Sequence, residues 1–115
     1  MLEARTITAS ERRLVEWLLT NVPDTKQVAN YVAQLDKLRV IDVCGCGCGS
    51  LTFCTPQGGM EQIASTTGHS PEGTSVWVCL YADESDSLCA LDINPMDDMP
   101  DAGIGLPNPE SLFRD

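Results

Sequence analysis

Three of the six cysteines fall in the run Val43-Cys44-Gly45-Cys46-Gly47-Cys48-Gly49-Ser50, each separated from the next by one glycine. Residues at i, i+2 and i+4 of an extended strand point to one side. The three thiols, with Cys54 at the same parity, are therefore expected to line one face of a β-hairpin. Thiolates are soft ligands, and Zn²⁺ takes four donors in a tetrahedron. Cys44, Cys46 and Cys48 could supply three of them, with Cys54, His69, Cys79 or Cys89 as the fourth. Structural zinc sites usually join two C-x₂₋₄-C knuckles, however, and this chain has one cluster. The favoured reading is that the cysteines serve as small buried hydrophobes, with glycines where the sheet bends or bulges. No cofactor is then expected, and a small zinc-binding module on Cys44, Cys46 and Cys48 is the alternative.

Other chemistries are less well supported. A reactive thiol needs a helix N-terminus or nearby cations to lower its pKa, and only Arg39 is near the cluster in sequence. There is no C-x-x-C. His69 is the only histidine and sits in a Gly/Ser/Pro-rich stretch, the usual setting of a solvated loop residue. Gly45, Gly47 and Gly49 do not form a phosphate loop, because no Lys-Ser/Thr follows them. Asp97, Asp98 and Asp101 lack the D-x-D-x-D-G pattern and distal Glu of a calcium loop. No catalytic constellation emerges, so an enzyme is not expected.

Charge is more informative. The chain carries a net charge of −10. Residues 1–42 hold six acids and six bases, and residues 43–82 add only Glu61 and Glu72. From Asp83 to Asp115 nine acids face the single base Arg114. Such a surface disfavours direct binding to nucleic acid or anionic membranes. It suits a partner protein with a basic surface. The contacts would be Asp83, Glu84, Asp86, Asp97, Asp98 and Asp101.

The elements that position these residues follow from pattern. At 115 residues and 43% hydrophobic content, the chain suits one domain with a modest core. No apolar run reaches the roughly 20 residues that span a bilayer. The N-terminus lacks the basic and apolar regions of a signal peptide, so a cytoplasmic protein with reduced thiols is expected. Thr8-Ala9-Ser10-Glu11 is a capping box, and Leu14, Val15, Trp17, Leu18 and Leu19 form a helical stripe that ends near Asn21 and Pro23. Asp24 and Gln27 resemble a second N-cap, before a face of Val28, Tyr31, Val32 and Leu35. Strands are expected over Leu38–Val43 and Leu51–Thr55, with a short extra one over Ile63–Thr67. Ser75–Ala82 and Leu88–Ile93, flanking the polar 83–87, form a hairpin covered on both faces in part.

Several segments together resemble an uncharacterised bacterial family. They are Ile7-Thr8-Ala9-Ser10-Glu11-Arg12, Leu35-Asp36-Lys37-Leu38-Arg39-Val40-Ile41, Cys44-Gly45-Cys46-Gly47-Cys48-Gly49-Ser50-Leu51-Thr52-Phe53 and Leu106-Pro107-Asn108-Pro109-Glu110-Ser111-Leu112. The family shares a Cys-Gly-Cys-Gly-Cys strand end, a late hairpin and a Leu-Pro-x-Pro ending. It often has Pro where this chain has Gly49. The resemblance implies a fold and assigns no activity.

The expectation is an α+β domain over residues 1–93: two N-terminal helices packed on an antiparallel sheet of four or five strands. Residues 94–115 form an acidic, Pro-rich tail docked back on it. The expected function is non-enzymatic protein binding. One form is a bacterial or phage inhibitor, of the immunity or anti-CRISPR type, whose carboxylates occupy a basic surface.

Overall fold

Thr8 starts the first helix through reciprocal hydrogen bonds. The Glu11 amide donates to Thr8 Oγ1 at 3.1 Å, and the Thr8 amide donates to Glu11 Oε1 at 2.9 Å. Two of the amides that a helix start leaves without intrahelical partners are satisfied in this way. Arg5 grips the same carboxylate with two nitrogens, at 2.9 and 2.8 Å, in the bidentate geometry that favours Arg over Lys. Helix α1 runs over Ala9–Asn21 and buries Leu14, Val15, Leu18 and Leu19. Each fully buried leucine contributes roughly 1.5–3 kcal/mol relative to exposure.

A computed structural model of the protein describes residues 4–21, 28–43, 50–69, 73–96, 107 and 112. The expected second cap at Asp24 and Gln27 lies outside them. Helix α2 spans Val28–Gln34 and tightens into a 3₁₀ turn over Leu35–Lys37, where the chain turns extended at Leu38. An ion pair of 2.7 Å joins Arg12 of α1 to Asp36 of that turn. Both partners are well exposed, so the pair contributes little.

The strands are β1 (Arg5–Thr6), β2 (Arg39–Val40), β3 (Asp42–Val43), β4 (Leu51–Thr52), β5 (Met60–His69), β6 (Ser75–Asp83) and β7 (Leu88–Pro95). Strands β1 and β2 pair as a separate antiparallel ribbon. The other five form an antiparallel sheet in the order β3-β4-β7-β6-β5. Among the described residues the fold is therefore α+β with two helices and a five-stranded antiparallel sheet.

Three strands differ from the sequence reading. The stretch expected as one strand over Leu38–Val43 serves two sheets, because residues 39–40 pair with β1 and residues 42–43 with β4. Between them, the Ile41 amide donates to the Thr52 carbonyl at 2.9 Å. The short strand expected at Ile63–Thr67 extends to ten residues. Its polar ends are held by pairing with β6 from Met60↔Asp83 to His69↔Ser75, a tertiary effect that local propensity does not report. Strand β4 covers only Leu51–Thr52, because the chain leaves the ladder after Phe53 donates to the Cys89 carbonyl at 2.7 Å.

One core cluster joins the layers. Leu14, Leu18, Tyr31 and Leu35 from the helical segment meet Val76, Val78, Leu80, Leu91 and Ile93 from the sheet. Strand β5 is one of the sheet's two outer strands among the described residues. It carries a register shift between Gln62 and Ala64 and an isolated bridge from Gly68 to Leu112.

Candidate functional site

The turn between β6 and β7 is built around one carboxylate. The Asp83 amide donates to the Ser87 carbonyl at 3.0 Å, and the Asp86 amide donates to the Asp83 carbonyl at 3.0 Å. Asp83 Oδ1 accepts from the amides of Ser85 and Ser87 at 2.9 and 3.1 Å, and Oδ2 accepts from the Gln57 amide at 2.9 Å. Hydrogen bonds to the charged form favour it. The Gln57 amide, then that of Ser87, hold the Asp83 carboxyl below its ordinary pKa, with Ser85 and Cys89 adding to the effect against a cost of burial. Asp86 takes up φ of 59°, a left-handed conformation that Asp tolerates better than most residues.

Helix α2 braces this turn from the other side. Gln34 Nε2 donates to the Asp86 carbonyl at 2.7 Å, while its Oε1 accepts from the Leu88 amide at 2.8 Å. Asn30 Nδ2 and Tyr31 Oη also reach Asp86, at 3.4 and 3.5 Å. Glu84 donates its amide to the Gln57 carbonyl at 3.2 Å, which ties the 56–59 turn to the tip. Gly58, with φ of +81°, lies against the Glu84 carboxylate.

Beneath the turn, two thiols meet. Cys54 follows β4, and its Sγ lies 2.9 Å from Cys89 Sγ on β7 and 3.4 Å from the Leu88 carbonyl. The Asp83 carboxylate completes a group whose ligand atoms all lie within 4.8 Å of one another. Cys89 is fully buried, whereas Cys54 is half-buried. Burial, then the neighbouring Cys54 thiol and the Asp83 charge, push the Cys89 thiol up to about 12. With no cation beside it among the described residues, a thiol so placed stays protonated at neutral pH and is a poor nucleophile. Cys54 opens onto a cleft of about 720 Å³ lined by Gln34, Lys37, Arg39, Gln57, Asp83 and Asp86, among others.

The sheet holds a second buried thiol, Cys79 on β6, opposite Asp92 on β7. Burial raises the pKa of Cys79, Tyr81 and Asp92 alike. Cys79, Ala90 and the half-buried Tyr81 and Asp92 agree with a hairpin covered in part on both faces, although Trp77 remains 45% exposed.

The residues singled out from sequence are distributed unevenly. Cys44, Cys46 and Cys48 lie outside the described residues, as do Asp97, Asp98 and Asp101. Cys54 and Cys89, each considered as a fourth metal ligand, are brought together. Cys79 is not in that group, and His69 ends β5 at an exposed position. Glu84 and Asp86 are exposed at the turn, while Asp83 is only 5% exposed and committed to backbone amides. Sequence reasoning missed Gln34 and the bracing role of Asp83. An acid two residues before a Ser is a common Asx-turn signal, but nothing local marks Gln34.

A family model described as Domain of unknown function (DUF6984) matches residues 4–100, which include every described residue of the thiol group, the turn and the cleft. No curated protein and no solved structure matches the chain.

Proposed function

We propose, for a chain that belongs to the DUF6984 family of domains of unknown function, a non-enzymatic role in binding a protein with a basic surface. One observation carries this reading. The acidic turn at Glu84 and Asp86 is exposed yet held from two sides, by Gln34 and Asn30 of α2 and by Gln57. A pre-positioned surface loses less conformational entropy on binding than a mobile one. Asp83 serves as the brace of that turn, and Asp97, Asp98 and Asp101 extend the acidity along the chain.

Residues 94–115 act on this reading as an acidic tail docked back on the domain. Burial of Pro107 and the pairing of Leu112 with Gly68 support that arrangement. The site of action is the cytoplasm. Among the described residues no helix is long and apolar enough to cross a membrane. The specific form is an inhibitor of a nucleic-acid-binding protein, of the immunity or anti-CRISPR type, whose carboxylates take the place of phosphates.

The test is comparative capture from host lysate. The wild-type chain and a Glu84→Lys/Asp86→Lys variant are immobilised at low salt and then washed at rising salt. A basic protein retained by the wild type, lost by the variant and released by salt is the expected result. Identical capture by both chains, or retention that salt does not change, sinks the reading.

A further inference from the structure

We propose that Cys54, Cys89 and Asp83 form a site for a thiophilic divalent cation, with Zn²⁺ as the natural occupant, independent of the Cys-Gly-Cys-Gly-Cys run. Three segments deliver the donors: the chain just after β4, the start of the hairpin strand β7 and the end of β6. The two Sγ atoms and a carboxylate oxygen already lie within 4.8 Å of one another. Zinc binds sulfur at about 2.3 Å and carboxylate oxygen at about 2.0–2.2 Å, which sets tetrahedral donors roughly 3.5–4 Å apart. The present Sγ–Sγ separation of 2.9 Å therefore opens by less than about 1 Å on binding.

The surroundings match the requirements of a metal site. Ligating carboxylates are held by outer-shell hydrogen bonds, and the amides of Gln57, Ser85 and Ser87 hold Asp83 in that manner. A carboxylate accepting these bonds still has lone pairs to offer. The half-buried Cys54 opens onto the cleft, which gives the ion an entry path and leaves a fourth position for water or a ligand from outside. Two sulfurs beside one oxygen select zinc over magnesium or calcium, which take oxygen ligands. A disulfide between the same thiols is the competing outcome.

The experiment uses the full chain, reduced and stripped of metal, titrated with Zn²⁺ against a chromophoric chelator and with Co²⁺ by absorption spectroscopy. Stoichiometric uptake, with a thiolate-to-cobalt charge-transfer band, is expected. Cys54→Ser and Cys89→Ala should each abolish that uptake, and Asp83→Asn should weaken it at least tenfold. A Cys44→Ser/Cys46→Ser/Cys48→Ser variant should keep it. Circular dichroism checks that each variant folds, and Cys54→Ser, at a half-buried position after β4, is the one to rely on if Cys89→Ala does not. Absence of uptake, or uptake lost only in the triple variant, overturns the proposal. So does a mass two hydrogens lighter without reductant that maps to a Cys54–Cys89 disulfide and resists mild reduction.

Discussion

Gln34 holds both strands' side of the β6–β7 turn with a single amide: it donates to the Asp86 carbonyl at 2.7 Å and accepts from the Leu88 amide at 2.8 Å. A side-chain amide is one of few groups able to do both at once. The helical segment and the hairpin tip are thereby fixed to each other, and the cleft between them acquires a defined width.

Gln34→Ala should lower stability by about 1–3 kcal/mol, since two backbone groups lose their partner. Gln34→Glu should cost a similar amount, because a carboxylate cannot donate to the Asp86 carbonyl. Urea unfolding followed by circular dichroism measures both. An unchanged midpoint for Gln34→Ala would show that water replaces the clamp without loss.

Glu11 gives the protein one source of acid sensitivity. Its pKa is lowered from an ordinary 4.5, first by the Arg5 hydrogen bond. A carboxyl with a lowered folded-state pKa contributes stability that is fully present above the unfolded value and is lost as pH falls through the folded one. Glu11→Gln should therefore destabilise at neutral pH and converge with the wild type in acid. Thermal melts at several pH values would show it; parallel curves across the whole range would contradict it.

Asp92 works in the opposite direction. Burial raises its pKa from 3.8, so its ionised form is disfavoured in the folded state. The penalty is present at neutral pH and vanishes once pH drops below the unfolded value. Asp92→Asn should raise the melting midpoint at pH 7 and leave it unchanged in strong acid. A lower midpoint at pH 7 would mean that the Asp92 charge has a favourable partner.

Gly58 should not tolerate a side chain. Its φ of +81° disfavours L residues, and a Cβ there would run into the Glu84 carboxylate. Gly58→Ala should cost about 1–2 kcal/mol from backbone conformation alone. Gly58→Ala/Glu84→Ala would recover only the steric part, and the difference in denaturation midpoint between the two separates the two effects.

Much of the fold was legible because local and tertiary preferences agree. The Thr8–Glu11 box and the Leu14/Leu18 stripe place α1 within a residue of its observed start. The β-branched and aromatic run at 75–82 marks the hairpin equally well. Failures occurred where distant partners decide. Arg5–Thr6 becomes a strand only because Arg39–Val40 lies beside it, and Met60–Gln62 only because β6 extends alongside. The thiol group was half visible: Cys54 and Cys89 both attracted notice, but thirty-five residues separate them and only the β4–β7 pairing makes them neighbours. Asp83 read as a surface charge because carboxylates are rarely buried without partners, and its partners are backbone amides that a sequence does not display.

The bridge between Gly68 and Leu112 has a consequence for biosynthesis. Translation proceeds from the N-terminus, so β5 leaves the ribosome well before Leu112 does. During that interval the outer strand presents unpaired amides and carbonyls of the kind that recruit another chain. The shift in register at Gln62/Ala64 and the charge of Glu61 protect one end of it from the outset. The Gly68 end waits for Leu112, and a nascent chain stalled in between lacks the bridge that caps that end in the finished protein.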